Sequence, residues 1–153
     1  MHHIAIALHV LSVAAWTGGL LLMLMVLRPA LLVVEPAERM ALWSRILPRT
    51  FTLAWISAAL ALVTGFSLTF SLYGGFAVAG MHIHLMAGLG LMMTAALAYS
   101  FLRPFKRFEL AAENGDLPTC ESTLAAVLRW QGIILALGTA ALVTGGVGAY
   151  IGF

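Results

Sequence analysis

Four long, continuous apolar runs, at about residues 4–27, 47–72, 79–102 and 123–152, constrain this chain more than any other feature. Each run exceeds the roughly 20 residues that an α-helix needs to cross the hydrocarbon core of a bilayer. The alternating pattern of a membrane β-barrel strand is absent, and a helix satisfies its own backbone hydrogen bonds in lipid. The runs therefore predict an all-α integral membrane protein, a four-helix bundle surrounded by the lipid bilayer.

The composition excludes several other classes of protein. Hydrophobic residues make up 62% of the 153 residues and charged residues only 9%, whereas a soluble domain has about half and about a quarter. The formal net charge is only +2, with no basic run, which excludes a nucleic-acid partner. A single cysteine excludes a disulfide framework.

The distribution of charge predicts how the chain sits in the membrane. The N-terminus lacks the basic stretch and cleavage site of a signal peptide, so the first span is expected to be retained. By the positive-inside rule, the loops after spans one and three face the cytoplasm, and both termini face outward from the cell inner membrane, into the periplasm if the source is bacterial. All eight basic residues lie in those two loops or at the adjacent helix ends: Arg28, Arg39, Arg45, Arg49, Arg103, Lys106, Arg107 and Arg129.

Local signals predict where the spans end. Arg28-Pro29 and Arg103-Pro104 are expected to end the first and third spans, because proline resists continuation of a helix. Segment 36–46 is expected to be a short interfacial helix with Trp43 at headgroup depth.

Two short strings recur in order and indicate an internal duplication. The string LRP occurs at 27–29 and at 102–104, an offset of 75 residues, and ALVTG occurs at 61–65 and at 141–145, an offset of 80. Two tandem helical hairpins are therefore predicted, with repeat units at about 1–75 and 76–153. Because each unit has two spans, an axis along the membrane normal would relate them.

The duplication relates two histidines inside the apolar layer. The 75-residue offset carries His9 onto His84, and an ionisable residue at that depth is a functional candidate. Two imidazoles on the first and third helices suit the axial ligation of a b-type haem. A hydrogen-bonded structural histidine is the alternative.

Neighbouring residues fit the haem hypothesis and also have simpler explanations. Thr64 and Thr144 lie at the depth of the histidines, where each hydroxyl can accept a hydrogen bond from a ligand's second nitrogen. A threonine bonded to its own helix is equally compatible with the sequence, and small residues also serve ordinary helix packing. His9 shares its helix face with Trp16 and Gly19, and His84 shares its face with Gly88. The small residues on these faces are expected to leave room for a macrocycle, with Trp16 beside it.

A second set of residues predicts copper binding at the outward side. A free amino terminus followed by imidazoles is a copper(II)-chelating arrangement, and a thioether favours copper(I). An outward-facing polar end without a ligand is the alternative. The copper set consists of Met1, His2, His3, Met81 and His82.

Three strings carry a resemblance to a known family. LHVL at 8–11, WTGGL at 16–20 and VTG at 63–65 resemble motifs of the copper resistance protein D (CopD)-like membrane family. The resemblance spans most of the chain and implies an inner-membrane protein associated with copper uptake or tolerance. The chain also resembles the related small membrane protoporphyrinogen oxidases (HemJ-type), which bind haem or porphyrin. Their third span typically carries a lysine where this chain has His84, which disfavours porphyrinogen oxidation and favours bis-histidine ligation.

Three functions follow from these patterns. The first is a membrane cytochrome b with one haem near the outward face, ligated by His9 and His84, which exchanges single electrons with a small outward-side partner. The second is a copper-binding or copper-transporting protein, and the third is a cofactor-free structural subunit. The sequence leaves open whether the chain is an oxidoreductase in the enzymatic sense and whether it forms a homodimer.

Overall fold

The computed structural model describes residues 2–151, with side chains for residues 2–148. Four helical segments account for nearly all of this part: α1 (His2–Val33), α2 (Pro36–Tyr73), α3 (Met81–Glu113) and α4 (Leu117–Ile151). All four are long and apolar enough to cross a membrane, and no strand occurs in the part of the chain that the structure describes. The prediction of an all-α four-helix membrane protein is confirmed.

Glycine and aspartate define the connections between the helices. Gly74 ends α2 in the left-handed region, with φ 74°, a conformation that glycine adopts without steric cost. Gly115 has φ 68° in the connection before α4. Asp116 then caps α4, because its Oδ1 accepts a hydrogen bond from the backbone N–H of Thr119 at 3.1 Å. Hydrogen bonding with Thr119 holds the pKa of the Asp116 carboxyl below its ordinary value.

Helices α1 and α3 continue past the prolines that were expected to end them. Each contains a π-helical segment, Met23–Leu27 in α1 and Phe101–Phe105 in α3. A π turn is a local widening that lets a helix absorb an irregularity without stopping. Pro29 follows the first π segment and is exposed, whereas Pro104 lies within the second and is buried.

Segment 36–46 is not a separate interfacial helix. It forms the first turns of α2, and its apolar side packs into the protein rather than against the headgroups, with Trp43 only 1% exposed. An amphipathic segment looks the same in sequence whether lipid or protein covers its apolar side, which is why this prediction was wrong.

The helices pack as two hairpins, α1 with α2 and α3 with α4, and contacts of α1 with α4 and of α2 with α3 close the bundle. We call the end with the connections at 34–35 and 114–116 the charged end, and the end where α1 and α3 begin the histidine end. The core is thickest towards the charged end, where the large buried side chains are Trp43, Leu47, Phe51, Phe105, Phe108 and Val127.

The burial pattern repeats between the hairpins, with a different offset for each helix pair. Residues of α2 and α4 match at 80 residues: buried Leu47, Phe51 and Ala54 correspond to buried Val127, Gln131 and Ile134. Residues of α1 and α3 match at 77 rather than 75 residues. Buried Trp16, Leu20 and Met23 correspond in this way to buried Met93, Leu97 and Ser100.

Candidate histidine site

His9 is held against α2 by hydrogen bonds. Its Nδ1 lies 2.9 Å from the carbonyl oxygen of Ala61 and 3.1 Å from the Thr64 hydroxyl. A carbonyl only accepts, so Nδ1 must carry a proton and donate it. The Thr64 hydroxyl donates to the Leu60 carbonyl at 2.5 Å, which leaves its lone pairs facing His9.

These contacts fix the tautomer and orientation of the His9 ring. With the proton on Nδ1, a neutral imidazole keeps its lone pair on Nε2, and Nε2 has no hydrogen-bond partner among the described residues. Metal-bound histidines typically have this arrangement, with one nitrogen bonded to a carbonyl and the other presented to the metal. His9 is half-buried, so Nε2 is shielded on one side by α2.

Gly65 provides the space that the His9 ring occupies. A Cβ at this position would come within 2.9 Å of His9 Cε1 and 3.3 Å of Nδ1, closer than ordinary van der Waals contact. Glycine is therefore required for the ring to lie this close to α2. The predicted association of His9 with Thr64 extends in the structure to Gly65 and to the carbonyl of Ala61.

The other residues expected along the histidine faces have different surroundings. Trp16 is buried, and its Nε1 has no hydrogen-bond partner among the described residues. Gly19 packs against Leu53 of α2, and a Cβ at this position would lie 3.6 Å from Leu53 Cδ2. Gly88 faces open space on the outside of the bundle.

His84 lies elsewhere on the bundle. It is exposed, its Nδ1 is 3.2 Å from the carbonyl of Gly80, and its ring lies edge-on to Phe76 at a centroid distance of 5.7 Å. The Phe76 ring in turn packs on Phe66 and Phe70 of α2. Those two residues project roughly 140° around α2 from Ala61 and Gly65, so the structure does not bring His84 to the face that holds His9.

Met86, not His84, occupies the position in the second hairpin that matches His9. A Cβ on Gly145 would come within 2.8 Å of Met86 Cε, just as Gly65 faces His9. Gly145 is 80 residues after Gly65, and Met86 is 77 residues after His9. Thr144, which corresponds to Thr64, donates its hydroxyl to the Ala140 carbonyl of its own helix at 2.8 Å.

The copper set lies at the histidine end where the structure describes it. His2, His3 and Met81 are exposed in the first turns of α1 and α3, and His82 is half-buried with its side chain against Gly148. Met1 lies outside the described residues. No group of three or more His, Cys, Asp or Glu side chains is close enough to hold a metal ion within the described part of the chain.

Two buried polar residues were not singled out from the sequence. Ser100 and Gln131 are 0% and 1% exposed, and neither Ser100 Oγ nor Gln131 Oε1 has a hydrogen-bond partner among the described residues. They occupy the positions of Met23 and Phe51 in the first hairpin. The 80-residue offset applied to Phe51 could have identified Gln131 from the sequence. Ser100 corresponds to Met23 only at the 77-residue offset that the structure shows.

Comparison with known proteins adds no assignment, because no protein-family model, no curated protein and no solved structure matches this chain.

Proposed function

We propose that this chain is a membrane-embedded b-type haem protein for one-electron transfer, in which His9 would bind the haem iron near the histidine end. The observation that carries the proposal is the donation of the His9 Nδ1 proton to the Ala61 carbonyl, which leaves Nε2 without a hydrogen-bond partner in the part of the chain that the structure describes. A haem held by imidazole supplies reversible one-electron transfer at its iron.

The residues around His9 have separate tasks in this proposal. The Ala61 carbonyl orients the ring and, through the Nδ1–H bond, keeps the lone pair of a neutral imidazole on Nε2. Gly65 allows the ring to lie close to α2, and the Thr64 hydroxyl provides a second acceptor for the same proton. The surrounding apolar side chains and lipid limit the access of water.

His84 is the proposed second ligand, and its position favours ligation between two copies of the chain. His9 contacts α2 directly, whereas His84 contacts Phe76, which packs on a different face of α2. This separation disfavours the binding of one haem by both histidines of a single chain. His84 is exposed, and its Nε2 has no hydrogen-bond partner among the described residues. A homodimer in which His9 of one copy and His84 of the other share a haem satisfies both positions.

A visible spectrum tests the haem proposal. Protein expressed with added haem precursor is expected to show a Soret band that shifts on dithionite reduction. The band should be lost in His9→Ala and retained in the control His82→Ala. Colourless protein that binds stoichiometric copper contradicts the proposal, and protein that binds neither favours a structural subunit.

Co-expression of two differently tagged variants tests the dimer. His9→Ala and His84→Ala chains, each unable to form the site alone, should together restore a bis-histidine spectrum after purification through both tags. Ligation within one chain predicts no restoration, because no chain then contains both ligands.

Copper binding is the second candidate function. The specific observation in its favour is that His2, His3 and Met81 lie exposed in the first turns of α1 and α3, at one end of the bundle. Replacement of His2 and His3 by Ala should then lower the bound copper while leaving any Soret band unchanged.

A further inference from the structure

A shallow groove of about 380 Å³ runs along α2 near the charged end. Pro48, Arg49, Thr52, Leu53 and Ile56 line it. Leu53 and Ile56 give the groove an apolar floor, and both are exposed. Its polar groups are concentrated at the Arg49 end, so the groove combines a cationic end with an apolar length.

A second arginine stands beside the cationic end. Arg45 lies one helical turn before Arg49, both are exposed, and Arg49 Nη1 donates to the Arg45 carbonyl at 3.4 Å. The ion pairs found among the described residues, Arg39 with Glu121 and Lys106 with Glu109, use neither arginine. Neither guanidinium pairs with a carboxylate in the described part of the chain, so both can bind an anion from outside the protein.

We propose that this groove binds an anionic phospholipid, with the phosphate on Arg45 and Arg49 and an acyl chain along Leu53 and Ile56. Guanidinium groups bind phosphate through paired, charge-assisted hydrogen bonds. The arginines lie where α2 enters its apolar stretch, the depth of a headgroup, and basic side chains at that depth attract anionic lipids. A free phosphate ion would use the arginines but would leave the apolar floor without a partner.

The second hairpin contains a natural control for this site. At the 80-residue offset, Arg49 corresponds to the exposed Arg129, whereas Arg45 corresponds to Ala125 and Thr52 to Gly132. Arg129 thus has the same charge and the same place in its hairpin, but no neighbouring residue supplies a second guanidinium like that of Arg45 or a hydroxyl like that of Thr52. The lipid site is independent of the proposed haem function.

Native mass spectrometry of the detergent-purified protein measures the binding. Titration with phosphatidylglycerol and phosphatidylcholine of the same acyl composition should give one site that prefers the anionic lipid. The double variant Arg45→Gln/Arg49→Gln should weaken phosphatidylglycerol binding by about 30-fold, since each arginine near a lipid surface contributes about fivefold. Arg129→Gln should change it by less than about twofold.

Further measurements identify the features that the lipid requires. Arg49→Lys keeps the charge but loses the paired geometry, so it should bind with intermediate affinity, and circular dichroism checks that each variant is folded. Equal loss in Arg49→Gln and Arg129→Gln would indicate a diffuse charge effect and overturn the proposal. Competition by millimolar inorganic phosphate as strong as that by the lipid would also overturn it, because the apolar floor would then contribute nothing.

Discussion

The two hairpins have matching buried positions but carry different side chains near the histidine end. In the first, Gly65 accommodates an imidazole that is hydrogen-bonded to α2, and in the second, Gly145 accommodates the thioether of Met86. The reverse difference occurs nearer the charged end. There the first hairpin has the apolar Met23 and Phe51, where the second buries polar Ser100 and Gln131. A matching pattern of buried positions therefore does not imply a repeated site.

The largest expected difference between the hairpins is the effect on haem binding of removing the His9 or the Met86 side chain. His9→Ala should abolish the Soret band, because it removes the nitrogen proposed to bind iron, whereas Met86→Ala should leave the band intact. The measurement is the haem-to-protein ratio of each purified variant. Loss of haem in both variants would show that Met86 is needed as much as His9 and would contradict this difference.

Substitutions of Gly65, which faces His9, and of Gly145, which faces Met86, should also differ in their effect on haem affinity. In Gly65→Ala, the new Cβ must displace a ring held by two contacts, so haem affinity should fall at least about tenfold, as for other changes that reorient a ligand. In Gly145→Ala, the new Cβ meets the flexible end of Met86, which can move, and affinity should change less than about twofold. Haem titration of the apoprotein measures both, and equal effects would contradict the assigned role of Gly65.

The buried polar pair gives a prediction about stability. Gln131→Leu removes an unpartnered buried acceptor and should raise the free energy of unfolding by about 1 kcal/mol. Phe51→Leu, at the matching position, should lower the free energy of unfolding by a similar amount. The substitution removes the packing of the Phe51 ring on the Phe105 ring, whose centroids are 4.6 Å apart. Thermal unfolding in detergent compares the two, and destabilisation by Gln131→Leu would show that this amide has an essential partner.

The smallest expected difference concerns the threonines. Thr64→Val removes one of two acceptors for the His9 Nδ1 proton and leaves the Ala61 carbonyl in place. Haem affinity should therefore fall by about threefold or less. Thr144→Val removes only a bond to its own helix and should have no measurable effect. A larger loss in Thr144→Val would contradict the difference between the hairpins.

The class of fold was predictable because bilayer thickness converts apolar length directly into helix number. The partnership of His9 with Thr64 was also predictable, since both residues lie at one depth on adjacent helices. The counterpart of His9 in the second hairpin was not predictable. The 75-residue offset came from the two LRP strings, and their prolines occupy different positions relative to the π segments. Pro29 follows its π segment and is exposed, whereas Pro104 is buried within its own. No local sequence signal distinguishes those two placements.

The paired π segments also determine where α1 and α3 can change length. A π-helical turn holds about one residue more than an α-helical turn. Losing a residue from Met23–Leu27 can therefore convert this segment to α-helix while the helix on either side keeps its orientation. Losing a residue between His9 and Met23 would instead rotate the preceding side chains by about 100°, taking His9 away from Ala61. These segments are the points at which the two helices can tolerate a deletion.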